Sequence, residues 1–145
     1  MGGRTDPDGR GHARRRAARR QAVDLLYQAD LMGRAPSEVL KEWRAAGRRV
    51  HPYAAELIAG VERSLPEIDR RLGMYSEEWT VSRMAAVDRT ILRVASFELR
   101  SGLAPAVAID EAVRAAKALS TEDSGRFVNG LLGRVARESD DGGSD

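Results

Sequence analysis

The sequence contains no cysteine. That excludes a disulfide framework, a thiolate zinc site and a cysteine nucleophile. Its two histidines, His12 and His51, stand far apart in the chain and form no metal-binding pair. His51, directly before Pro52, reads as a helix-entry residue. No apolar run approaches the roughly 20 residues of a membrane span, and the N-terminus has no apolar signal core. These absences predict a cytoplasmic protein with no membrane association. No Gly-rich phosphate loop and no Gly-x-Ser-x-Gly string occurs. The carboxylates stand singly, with arginines at i+3 or i+4, as in Glu67/Arg70/Arg71 and Asp110/Arg114, the pattern of ordinary surface pairs. With no catalytic set, no metal ligands and no cofactor motif, the expectation is a binding protein and not an enzyme.

What is present is unevenly distributed. The 145 residues carry a net charge of +2. Residues 1–49 hold twelve Lys and Arg against six Asp and Glu, a net of +6, while residues 50–145 hold twelve against sixteen, a net of −4. One end suits a polyanion and the other a basic partner. The length fits one domain or two closely packed subdomains and buries about two-thirds of the chain's surface.

The basic end is concentrated in one stretch. From Ala13 to Met32 nothing breaks a helix, and Gly33 is placed as its stop. The second half is apolar at helical spacing, with Ala22, Leu26 and Ala29 on one track and Val23, Tyr27 and Leu31 on the next. The first half carries Arg14, Arg15, Arg16, Arg19 and Arg20. Arg15/Arg19 and Arg16/Arg20 are i,i+4 pairs of like charge near the positive end of the helix dipole, which is locally unfavourable. Such a cluster suits phosphates, which guanidinium groups bind through a planar fork. With only two lysines in the chain, Lys41 and Lys117, arginine is the default cation, so the clustering carries the signal.

Along the rest of the chain, residues 1–12 are Gly-rich without periodicity and read as a disordered arm. Ser37 opens a short helix from Glu38 to Ala46, with Trp43 in its apolar stripe and Gly47 as its stop. A third helix enters at Pro52 and runs to about Arg63, with Leu57, Ile58 and Val61 inward. Ser64-Leu65-Pro66-Glu67 has the form of a capping box for a fourth helix ending near Tyr75; continuity between the two is left open. The most apolar helix spans about 85–101 and is expected to be central, with Gly102 ending it. Two further helices follow, from Pro105 to Lys117 and from a cap at Thr121 or Asp123 to Val135. Residues 138–145 read as an acidic, disordered tail. The expected fold is all-α, about seven helices in two small packed bundles (13–64 and 65–137).

Three strings in order carry a resemblance. They are Asp88-Arg89-x-Ile91-Leu92-Arg93-x-Ala95-x-x-Glu98-Leu99, then Pro105-x-x-x-Ile109-Asp110-Glu111-Ala112-Val113-x-x-Ala116-Lys117, then Asp123-Ser124-x-x-Phe127-Val128-Asn129-Gly130-Leu131-Leu132. Together with the arginine-rich first helix they resemble the bacterial transcription antitermination factors of the NusB family, over about residues 13–137. Asp110 stands where many members have Asn. The resemblance implies an all-α RNA-binding protein that pairs with the ribosomal protein NusE. The pair binds the single-stranded boxA element of ribosomal RNA leaders and joins the RNA polymerase antitermination complex to suppress premature termination.

The resemblance also implies residue roles. Arg14, Arg15, Arg16, Arg19 and Arg20 are expected on RNA phosphates and bases, and Arg93 is expected to extend that basic surface. Phe127 stands one position off the Val128/Leu131/Leu132/Val135 face, either a packing ring or a platform for an unstacked base. Asp123 is either a plain cap or an acceptor for a base amino group, and Asn129 is a further RNA candidate. Tyr27 is expected to pack the two halves together. Glu77, Glu78 and Asp88 are the acidic candidates for NusE. The rival reading is a helical interaction protein that forms a homodimer without sequence-specific RNA binding.

Overall fold

The structure, a computed structural model, describes residues 10–143 and the side chains of 13–138. The expectations for 1–9 and 144–145 lie outside the described residues. Six α-helices are present among them, with no strand: α1 (Arg10–Met32), α2 (Pro36–Ala45), α3 (Pro52–Tyr75), α4 (Ala86–Arg100), α5 (Pro105–Leu119) and α6 (Glu122–Gly143). A 3-10 turn, Val81–Arg83, leads into α4. The all-α expectation holds. The first helix starts earlier than Ala13, taking Gly11 and His12 into its first turn. The last extends to Gly143, into the stretch read as a disordered tail.

The helix count falls from seven to six because α3 runs straight through Pro66. The capping box read at Ser64–Glu67 does not form. A proline inside a helix costs about 3 kcal/mol. Here the same helix face carries Leu57, Ile58 and Val61 before the proline and Ile68 and Leu72 after it, all fully buried. Burial of such side chains is worth roughly 1.5–3 kcal/mol each, which outweighs the lost backbone bond. The boundary expected near residue 64 therefore falls inside α3, and one continuous cluster of buried side chains extends from Ala18 to Val135.

α4 is the central helix, as its apolar pattern suggested. It packs against α1, α3, α5 and α6, and Ile91, Leu92, Val94 and Ala95 are buried on it. Its approach to α3 is close because Gly60 has no side chain: the ring of Phe97 occupies the position a Cβ would take. Gly33, Gly47 and Gly102, read as stops, have φ of 63°, 86° and 98° and follow α1, α2 and α4. Other residues are strained in that region, so these glycines fix where the helices end.

Within α1, Ala18, Ala22, Leu25, Leu26 and Ala29 are buried. Leu31, placed on the inward track, is 60% exposed. Tyr27 is half-buried. Trp43 is core, as expected, and its indole N–H donates to Gln28 at 3.1 Å. No helix among the described residues is long and apolar enough to cross a membrane.

Candidate nucleic-acid interface

α1 runs antiparallel to α4: Arg19 meets Glu98 at the end of α4, while Asp30 meets Arg89 and Arg93 nearer its start. The arginine-bearing end of α1 therefore lies beside the C-terminal half of α4. α5 packs on the neighbouring flank of α4. Between α1 and α5 runs a groove of about 270 Å³, floored by Ile91, Val94 and Ala95.

The five arginines of α1 divide by partner. Arg14 and Arg20 are exposed and make no ion pair with a described residue. Arg15 is exposed, and its guanidinium lies 4.7 Å from the centroid of the Tyr53 ring. Arg16 is 44% exposed yet holds Glu111 through both its Nε and Nη2, each at 2.9 Å. Arg19 is buried, and its Nε donates to both oxygens of Glu98 at 3.0 and 2.8 Å. Helical geometry explains the split. Arg19, three residues before the buried Ala22, turns toward α4, and Arg16 and Arg20 stand at the α1/α5 groove, while Arg14 is exposed nearer the start of the helix. The expectation that Arg19 serves RNA with its neighbours is corrected: its guanidinium is committed to Glu98.

Arg93 is corrected for the same reason. It is inside, with Nε and Nη2 on Asp69 at 2.9 and 2.8 Å and Nη1 on Asp30 at 3.3 Å. It ties α4 to α3 and α1 and adds nothing to the basic surface.

A second site lies at the other end of α4. A cleft of about 710 Å³ is bounded by Glu78 and Trp79 before α4, by Asp88 on its first turn, and by Asp123 and Phe127 on α6. Asp88 and Glu98 are ten residues apart on one helix, so the cleft and the arginine end are separated by about 15 Å along α4. Phe127 is partly buried at the cleft wall, and Trp79 is 51% exposed beside it. Thr121 is the cap of α6, its Oγ1 accepting from the Ser124 N–H at 3.0 Å. That leaves Asp123 exposed in the first turn, paired with Arg126.

Asp88 is not the exposed acid expected for a basic partner. It is buried, accepting from the Ser124 hydroxyl at 3.1 Å, and its Oδ1 has no hydrogen-bond partner. Burial raises its pKa above the ordinary aspartate value, and the Ser124 hydrogen bond partly offsets this. Glu77 and Glu78 are exposed, Glu77 lying 3.8 Å from Arg134. Asn129 is exposed on α6 but stays out of the cleft. Two residues on from Phe127 it points to the far side of the helix. The structure thus brings Glu78, Asp88, Asp123 and Phe127 together and leaves Asn129 and Arg93 apart from both sites.

Sequence reasoning gave no role to Trp79, Arg83 or Arg126 at the cleft, or to Glu98, Glu111 and Tyr53 at the arginine end. One signal was present. Glu98 shares a helical face with Ile91, Val94 and Ala95, and a carboxylate on a core face requires a buried cation. No histidine, aspartate or glutamate group among the described residues has the arrangement to hold a metal ion.

Comparison with known proteins places this architecture. A family model described as the NusB family matches residues 16–137. The transcription antitermination protein NusB of Salinispora tropica is 45% identical over 128 residues, which is 84% of this chain and 94% of that protein. The structure of T. maritima NusB aligns with a TM-score of 0.73 at 34% identity, covering 86% of this chain and 91% of that one. A crystal structure of antitermination factors NusB and NusE in complex with double-stranded RNA aligns with a TM-score of 0.75 at 28% identity, covering 86% and 96%.

Proposed function

The chain belongs to the NusB family, and on that premise we propose that it is an RNA-binding transcription antitermination factor. With NusE it binds the boxA element of ribosomal RNA leaders in the cytoplasm and joins RNA polymerase to suppress premature termination. It acts by binding, not by catalysis.

The observation that carries the RNA reading is the state of α1. Arg14 and Arg20 are exposed and have no ion-pair partner among the described residues, and Arg15 is exposed with its guanidinium near the Tyr53 ring. Clustered, unneutralised guanidinium groups on a rigid helix are a phosphate site. About 15 Å along α4, Trp79 and Phe127 offer ring faces for unstacked bases. A single strand lying along the α1/α5 groove meets phosphate ligands first and aromatic surfaces second. The exposed acids Glu77 and Glu78 stand beside that cleft, where a basic ribosomal protein is favoured.

Fluorescence anisotropy with a boxA-containing RNA, a scrambled RNA and a duplex tests this, each with and without NusE at two salt concentrations. The expected result is a preference for single-stranded boxA, strengthened by NusE and weakened by salt. Equal, NusE-independent binding to all three would reduce α1 to a general polyanion site and overturn the proposal.

A further inference from the structure

Glu111 sits on α5 with only 7% of its side chain exposed, facing three arginines. Arg16 holds it bidentately at 2.9 Å, Arg19 Nη1 lies 3.8 Å away, and Arg114 Nε lies 4.0 Å away. The Arg16 fork is therefore filled, in the free protein, by a planar anion with two acceptor oxygens. That is the geometry a phosphate demands of the same group. Arg19 Nη1, by contrast, is buried without a hydrogen-bond partner. A buried donor left unmade is costly and calls for an explanation.

We propose that Glu111 is a specificity-determining residue of the RNA site, a phosphate mimic that occupies Arg16 in the free protein and passes to Arg19 when RNA takes Arg16. This deepens the RNA-binding reading given above and rests on it. Three features make the exchange feasible. Arg16 is 44% exposed and free to swing outward, whereas Arg19, 10% exposed and fixed by Glu98, stays in place. Closing the 3.8 Å gap gives Arg19 Nη1 the acceptor it lacks, so Glu111 is not stranded when Arg16 leaves. The neighbouring α5 residues on the groove are small, Ala108, Ala112 and Ala115, leaving room for the carboxylate to move.

The consequence is selectivity. An RNA that offers only scattered phosphates must compete with Glu111 for Arg16. An RNA anchored in the Trp79/Phe127 cleft is held in register to place a phosphate in the Arg16 fork, so it recovers at Arg16 the cost of displacing Glu111, which an unanchored strand does not. Glu111 thereby suppresses binding to arbitrary RNA more than binding to the right one.

The test compares boxA-containing and scrambled RNA of equal length by anisotropy, using wild type, Glu111→Gln, Arg16→Ala and the double variant. Glu111→Gln should tighten scrambled RNA roughly two- to fivefold, the range of an ion pair whose arginine partner reaches solvent, and tighten boxA RNA less. In the Arg16→Ala background the substitution should do nothing. Nitrogen-15 spectra of the wild-type arginine side chains should show boxA RNA shifting the Arg16 and Arg19 guanidinium signals together. Equal tightening of both RNAs, tightening that survives in the Arg16→Ala background, or no change would each overturn the inference. If Glu111→Gln unfolds by circular dichroism, Glu111→Asp decides, since the shorter acid keeps the charge but cannot hold the Arg16 fork bidentately, and it should show the same loss of preference. Failure of wild type to bind either RNA would remove the proposed function. Wild-type preference that Glu111→Gln leaves intact would remove only this inference.

Discussion

Arg19 and Glu98 form a buried ion pair in which a single Nε donates to both carboxylate oxygens, with the two side chains 10% and 2% exposed. The Tyr53 hydroxyl donates to the same carboxylate, joining α1, α3 and α4 at one point. Burial and the proximity of Glu98 push the Tyr53 hydroxyl up to about 12, so it stays a donor at all physiological pH. Removing one partner of such a pair leaves an uncompensated buried charge, at about 3–5 kcal/mol. Arg19→Ala should therefore lower the thermal midpoint by roughly 10 °C, using the usual 2–4 °C per kcal/mol for a domain of this size. Arg19→Met combined with Glu98→Leu should recover most of that loss. Calorimetry of the two variants checks it, and a single variant as stable as wild type would remove the pair from the stability of the fold.

Arg14→Ala with Arg20→Ala should behave oppositely. Both residues are exposed and pair with no acid among the described residues, so stability should stay within about 0.5 kcal/mol of wild type. RNA affinity should fall, and the logarithmic salt slope should flatten by about 1.4, at roughly 0.7 per lost phosphate contact on a single strand. Titrations at three or more salt concentrations supply the slope. An unchanged slope would mean that these two arginines do not touch phosphate.

The contrast between Arg19 and Arg20 marks what the sequence could carry. Clustering of arginine was visible, and so was the helix that bears it. Which of five adjacent arginines is structural depends on a carboxylate 79 residues away. Local periodicity contains no such information, although Glu98 on an apolar stripe hinted at it. The same holds for Arg93, whose partners Asp30 and Asp69 come from two other helices. Helix ends were legible at Gly33, Gly47 and Gly102 because positive φ is a local requirement. Pro66 misled because its local penalty was outweighed by burial on both sides, a tertiary effect. Phe127 was legible as a residue one step off the buried face. The cleft it borders was not, since Trp79 and Asp88 reach it from a different part of the chain.

Gly60→Ala should destabilise without touching either site. The added methyl would overlap the Phe97 ring, whose far edge lies where the Cβ must go. Overpacking of this kind costs about 1–3 kcal/mol, because α3 and α4 must part or the ring must leave its rotamer. The urea midpoint should drop, and the same substitution in a Phe97→Ala background should drop it far less. Equal losses in both backgrounds would place the strain somewhere other than the ring.

Asp88→Asn should stabilise the protein at neutral pH. The folded-state pKa of Asp88 is raised by burial, so its charged form is a liability at any pH above that value. The native state binds the proton more tightly than the unfolded chain does, so this residue's contribution falls as pH rises from the unfolded to the folded pKa. Below the unfolded aspartate value, about 3.9, the carboxyl is protonated in both states and the advantage of asparagine should vanish. Asparagine keeps an acceptor for the Ser124 hydroxyl, so the comparison isolates charge. Thermal midpoints of both proteins between pH 3 and 8 supply the test, and a constant difference across that range would contradict the assignment.

Phe127 and Trp79 give the cleft a direct readout. The two tryptophans differ sharply: Trp43 is 7% exposed and Trp79 is 51% exposed. A base entering the cleft should therefore change the emission of Trp79 and leave that of Trp43 alone, so Trp79→Phe should abolish the fluorescence response to boxA RNA. Phe127→Leu keeps apolar volume against Val128 and Leu131 but removes the ring face. Stacking of a base on an aromatic ring is worth about 1–3 kcal/mol, so affinity for boxA RNA should fall by about five- to 150-fold with little change in the salt slope. That pairing of results, an affinity loss without a slope change, separates base stacking from the phosphate contacts of α1. A slope that flattens with Phe127→Leu would mean the strand had shifted off the arginines as well, and an unchanged affinity would assign Phe127 to packing alone.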